Sequence, residues 1–118
     1  MIPSDRKYIF YLEDILLSME RIEEYISGST FISFKQNYML VDAVIRNFTI
    51  IGEAAKNIPD EVIVRYPQIP WRKMYGLRNI ISHEYFGIDY EMIWEIAENN
   101  LPKNLEDLRI IIEKEKNK

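Results

Sequence analysis

No cysteine occurs in this chain, histidine occurs once, and its 118 residues hold only four glycines and five prolines. The first absence excludes disulfides, thiolate nucleophiles and cysteine-based zinc sites. The single histidine, His83, leaves one imidazole for acid–base chemistry near neutral pH. With 47% hydrophobic and 29% charged residues and little glycine or proline, the composition is that of one folded domain, residues 1–118, and not of a disordered chain. No apolar run reaches the roughly 18 residues that cross a bilayer. The opening "MIPSDRKYIFYLED" carries charges where a signal peptide has an apolar core. The expectation is a cytoplasmic protein with no membrane contact.

The net charge is −4, which argues against a protein that coats nucleic acid by simple phosphate neutralisation. The charge is unevenly spread. Residues 62–83 hold Arg65, Arg72, Lys73 and Arg78 and no Asp or Glu, so this window is +4 and the remainder −8. Such a window is either a solvated face or a site for a polyanion, with Arg72 and Lys73 as the candidates for holding it.

Apolar residues at Tyr8, Ile9, Leu12, Ile15, Leu16, Met19, Ile22 and Ile26 have the three-and-four spacing of an amphipathic helix. The pattern predicts a helix over 5–26, capped by Ser4 and stopped by Gly28. A second helix is predicted over 34–57, with Val41, Val44, Ile45, Phe48, Ile51 and Ala55 as its buried stripe. Within it, Gly52 costs about 1 kcal/mol relative to alanine, which close approach of another helix would offset. Asp60 reads as the cap of a short helix over 61–66, although "VIVRY" is β-branched enough to suit a strand. Pro70 suits the first position of a long helix running to about 86, where Gly87 stops it. Asp89 caps a helix over 90–100, and Pro102 begins or kinks a last one that ends in a frayed polar tail. Short connections between such helices predict an all-α fold, an antiparallel bundle of four to five main helices.

On a helix, Arg78 and His83 lie about 140° apart around the axis and about 7.5 Å along it, with Asn79 one turn before His83. These residue types suit cleavage of RNA without a metal. An imidazole takes the proton of a ribose 2′-hydroxyl or protonates the leaving oxygen, and a guanidinium stabilises charge on the phosphate. Asn79 could orient the imidazole or the phosphate. Concerted acid and base catalysis wants two titratable groups, and a two-fold dimer would supply two copies of His83 and Arg78 to one cleft. The same residues also fit a plain structural role. A histidine near a helix C-terminus interacts well with the dipole, Arg78 could pair with a carboxylate, and Tyr85 could pack in a core or interface. One imidazole beside scattered carboxylates has no recognisable metal-ligand spacing, so no metal site is expected.

"RNIISHEY", residues 78–85, resembles the R-x4-H-x-Y motif of the HepT-like branch of the HEPN superfamily. The likeness extends through "RKYIFYLEDILLSMERIEEYI", "AVIRNFTIIGEAAKNIP" and "YPQIPWRKMYGLRNIISHEYFGIDYEMIWEIAENNLP", nearly the whole chain. The resemblance implies a helical-bundle, metal-independent endoribonuclease without a cofactor, dimeric, with the motifs facing one another. By motif position Arg78 and His83 would be the catalytic pair and Asn79 a supporting residue. Tyr85 matches the tyrosine that, in this family, a MNT-type nucleotidyltransferase antitoxin modifies with AMP. The implied function is the toxin of a toxin–antitoxin pair. The alternative is a non-catalytic bundle that presents Tyr85 or a nucleotide to a nucleotidyltransferase, and a third reading is a purely structural dimer.

Overall fold

The three-and-four spacing of apolar residues is realised in helices along the chain. The computed structural model describes residues 7–83 and 89–118, and for 78–83 the backbone alone. In chain order the elements are α1 (Tyr8–Ile26), α2 (Phe31–Gln36), α3 (Tyr38–Lys56), α4 (Asp60–Arg65), α5 (Trp71–His83), α6 (Tyr90–Glu95), a π-helical turn (Ile96–Asn100) and α7 (Leu101–Lys116). The fold is an all-α helical bundle. α3 lies at its centre between α1 and α5, and α7 packs along α1.

The core is the set of stripes expected from the spacing. Leu12, Ile15, Met19, Ile22 and Ile26 are buried on α1; Val41, Val44, Phe48, Ile51 and Ala55 on α3; Leu105, Leu108, Ile111 and Ile112 on α7. Gly52 is buried with Ala54 and Ala55 on α3, the small-residue surface that lets a neighbouring helix come close. Phe34 of α2 is fully buried, its ring 5.2 Å from that of Trp94 on α6, which ties the short helix to the far end of the chain. Burial of such a side chain contributes about 1.5–3 kcal/mol.

Several boundaries differ from the expected ones, each for a local reason. α1 begins at Tyr8, not at residue 5, because Lys7 has an extended backbone (ψ 135°); Ser4 lies outside the described residues. Its end is as expected, with Gly28 at φ +80°, a conformation that glycine adopts without steric cost. The helix predicted over 34–57 is two helices. Thr30 and Ser33 form a reciprocal capping box that starts α2 at Phe31. Asn37 then breaks the run, its side-chain oxygen accepting the Leu40 N–H at 3.1 Å to start α3. At α4 it is Pro59 that occupies the cap position, and Asp60 and Glu61 fill the first turn, where the dipole favours carboxylates. "VIVRY" is thus largely helical. Pro70 immediately precedes α5, and Gly87 lies outside the described residues.

Pro102 stands at the start of the last helix, as expected, but no loop separates that helix from the one before it. α6 passes through the π-turn directly into α7, with Pro102 in the first turn of α7. Proline has no N–H to donate and its ring collides with the carbonyl four residues earlier, so the backbone just before it must widen. The π-turn at 96–100 is that widening. Asp89 caps α6 as expected, accepting the Met92 N–H at 3.1 Å.

The polar tail is also not frayed. Glu115 of α7 is buried, its carboxylate accepting hydrogen bonds from the hydroxyls of Tyr8 and Tyr66 and from the Arg65 guanidinium. Among the described residues no helix is long and apolar enough to cross a membrane.

Candidate active site

The helix that carries the motif is α5, and its start is fixed from two directions. The Tyr66 hydroxyl donates to Glu115, and the Tyr66 carbonyl accepts the indole N–H of Trp71 at 2.9 Å. Trp71, Met74 and Leu77 are buried on the side of α5 that meets the core. Arg72 and Lys73, between them, are exposed. The backbone remains helical through His83, so Arg78, Asn79 and His83 lie on one continuous helix, with Arg78 and His83 about 7.5 Å apart along its axis. Their side chains, and Tyr85 altogether, lie outside the described residues.

The charge of the 62–83 window divides between two tasks. Arg65 is engaged at the Glu115 network, 2.9 Å from a carboxylate oxygen, and lies over the Tyr66 ring. Arg72 and Lys73 form no ion pair with any described residue. Both sit in the first turn of α5, the positive end of the helix dipole, which is an unfavourable place for a cation and has no acidic residue to offset it.

The Glu115 network is a buried polar cluster that no local pattern along the chain announces. Burial works to raise the Glu115 pKa, but hydrogen bonds from Tyr66, Tyr8 and Arg65, with the Arg65 charge, outweigh it and hold the carboxyl at about 2. Tyr8 and Tyr66 are both pushed up, first by donating to Glu115 and then by burial. The cluster closes α1, α4 and α7 together and is a structural clamp. Asn47, buried on α3, is a second polar residue that the periodicity did not single out. Its amide donates to the Ala43 carbonyl at 2.9 Å, and its Oδ1 has no partner among the described residues.

A cavity of about 480 Å³ opens beside the first turns of α5, between α1, α3 and the π-turn. Its floor is apolar and its rim carries Gln68, Lys73, Asn100 and Asn104. Among the described residues no three or more His, Asp or Glu side chains gather as metal ligands.

Fold and motif together define an all-α bundle with a basic, motif-bearing helix packed on its central one. The family model described as "Ribonuclease HepT-like" matches residues 15–114, and the chain belongs to that family. It is 42% identical over 102 residues to "Putative RNase MJ0127" of Methanocaldococcus jannaschii, a match spanning 86% of this chain and 84% of that one. It is 40% identical over 97 residues to "Probable ribonuclease HepT" of Thermococcus cleftensis, spanning 82% of this chain and 88% of the relative. To "Gamma-glutamylcyclotransferase and putative RNase MJ0434" of M. jannaschii it is 44% identical over 109 residues, which cover about half of that longer protein (49%) and 92% of this chain. No solved structure matches the chain.

Proposed function

We propose that the chain is a metal-independent endoribonuclease, the toxin of a toxin–antitoxin pair, acting as a homodimer in the cytoplasm. The observation that carries this reading is the intact Arg78, His83 and Tyr85 set in a chain of the Ribonuclease HepT-like family, with Arg78 and His83 on one continuous helix. In the dimer one His83 takes the proton of a ribose 2′-hydroxyl. The 2′-oxygen attacks phosphorus, the bond from phosphorus to the 5′-oxygen breaks, and the second His83 gives that oxygen its proton. The two Arg78 side chains hold the phosphate oxygens as charge builds on them, and Asn79 supports the site. The products are a 2′,3′-cyclic phosphate and a 5′-hydroxyl. Arg72 and Lys73, exposed at the start of the same helix, receive the RNA backbone.

The antitoxin in this reading is a MNT-type nucleotidyltransferase that transfers AMP to Tyr85. Phosphate and bulk two residues from His83 would exclude RNA by charge and by volume. The test is induction of the wild-type chain, His83→Ala and Arg78→Ala without any partner, followed by growth and by analysis of RNA ends. Wild type should arrest growth and leave cyclic-phosphate ends while both variants are inert; 3′-hydroxyl ends would overturn the chemistry, and harmlessness of all three at good expression would overturn the toxin reading.

A further inference from the structure

The cavity beside α5 has features that the proposed chemistry leaves unused. Its floor contains Met19, Phe48, Ile51, Met74 and Leu77, an apolar surface with one aromatic ring and two methionines, whose flexible thioethers adapt to a flat guest. Four polar side chains stand over that floor: Gln68, Lys73, Asn100 and Asn104. None of the four makes a side-chain hydrogen bond or ion pair with a described residue, and Asn100, at the junction of the π-turn and α7, caps nothing. No Asp or Glu is among the described lining residues. A concave apolar site of about 300–1,000 Å³ with a few convergent polar groups is the form of a small-molecule pocket, and 480 Å³ falls within it.

The ligand is narrowed by this chemistry. Three carboxamides offer paired donors and acceptors, as the edge of a nucleobase requires, and the apolar floor suits its face. The lone charge is a cation, suited to a phosphate. Lys73 stands five residues before Arg78 on the same helix, α5.

We infer that this cavity is a base-binding subsite. It takes one unstacked base of single-stranded RNA, with the adjoining phosphate on Lys73, and so gives the enzyme a preference for the nucleotide beside the cut. The inference rests on the ribonuclease reading for its purpose, but not for its detection. The π-turn contributes directly, since Ile96 and Asn100, both within it, line the cavity.

Methyl NMR of the full-length wild-type protein tests it, with AMP, UMP, CMP, GMP and inorganic phosphate as probes. At least one mononucleotide should shift the Met19, Met74 and Leu77 methyls, and Asn104→Leu or Asn100→Ala should weaken that binding about tenfold. Asn100 is exposed, so its variant spares the fold. In parallel, cleavage of a randomised RNA by wild type and by Asn100→Ala should differ in base preference next to the cut. Nucleotide-dependent shifts without any cleavage would fault the ribonuclease reading and leave the pocket standing. The pocket itself is overturned by cleavage with an unchanged base preference and no methyl shifts. It is equally overturned if phosphate alone reproduces the shifts, or if they follow protein concentration, as self-association would.

Discussion

The hydroxyl of Tyr66 donates to the carboxylate of Glu115 at 2.5 Å across 49 residues of sequence, and through its own carbonyl Tyr66 holds the indole of Trp71 at the start of α5. The clamp at the chain's C-terminal end therefore also sets where the motif helix begins. Glu115 is an acceptor for two phenols and a guanidinium, all three of which lose their partner together if it is removed.

Glu115→Ala should lower the unfolding free energy by about 2–3 kcal/mol, since it leaves the buried Tyr66 hydroxyl and the half-buried Tyr8 hydroxyl without their acceptor. Glu115→Gln, which keeps one acceptor oxygen, should lose less. Urea unfolding of the three proteins measures the order, and a loss below about 1 kcal/mol for the alanine variant would show the network to be peripheral.

The same residue sets an acid limit. Its folded pKa is about 2 against 4.5 for the free side chain. A carboxyl with a lowered folded value contributes stability that is complete above the unfolded value and is lost as pH falls through the folded one. Between about pH 5 and pH 2 the protein should therefore lose roughly 3 kcal/mol through this group, and Glu115→Gln should lack that part of the slope. Tyr8 and Tyr66 act at the other extreme: their raised values keep their contribution complete below about pH 10 and lose it only as pH rises through the folded values. Unfolding curves at a series of pH values read both limbs.

Arg72 and Lys73 separate fold from function by the sign of their effects. Charge reversal to glutamate places an anion at the positive end of the α5 dipole, so each variant should raise the melting temperature by roughly 1–4 °C. The same variants should weaken RNA binding and flatten its salt dependence, by about one unit of slope for each phosphate that is no longer neutralised. Melting scans and salt-titrated RNA binding decide it; unchanged affinity in the double variant would remove these two side chains from the RNA path.

If two copies of His83 share one cleft, a linked dimer with one His83→Ala half cannot run acid and base catalysis together. Its rate should fall by about 10²–10⁴, far more than the factor of two expected of independent sites. Single-turnover cleavage by the linked forms distinguishes the two cases.

Much of the fold was legible in the sequence because its signals are local. A buried stripe repeats every three or four residues, and Leu12, Ile15, Met19, Val44, Phe48 and Leu108 fall on the core faces that this spacing assigns them. The motif was legible for the same reason: Arg78, Asn79 and His83 lie within one helix, where spacing in sequence is spacing in space. The break at Asn37 was harder to see, because apolar residues continue across it and only a side-chain cap marks the turn.

What tertiary structure alone decided are the relations between distant residues. Glu115 reads as one more charge in a polar tail until Tyr8, Arg65 and Tyr66, as many as 107 residues away, converge on it and make its burial tolerable. The cavity likewise draws Met19, Phe48, Lys73 and Asn104 from four separate helices, and no periodicity within a segment encodes how those segments meet. Sequence determined which faces must be buried, since that follows from water's exclusion of apolar groups; packing determined which polar groups would find partners and which would be left facing an open pocket.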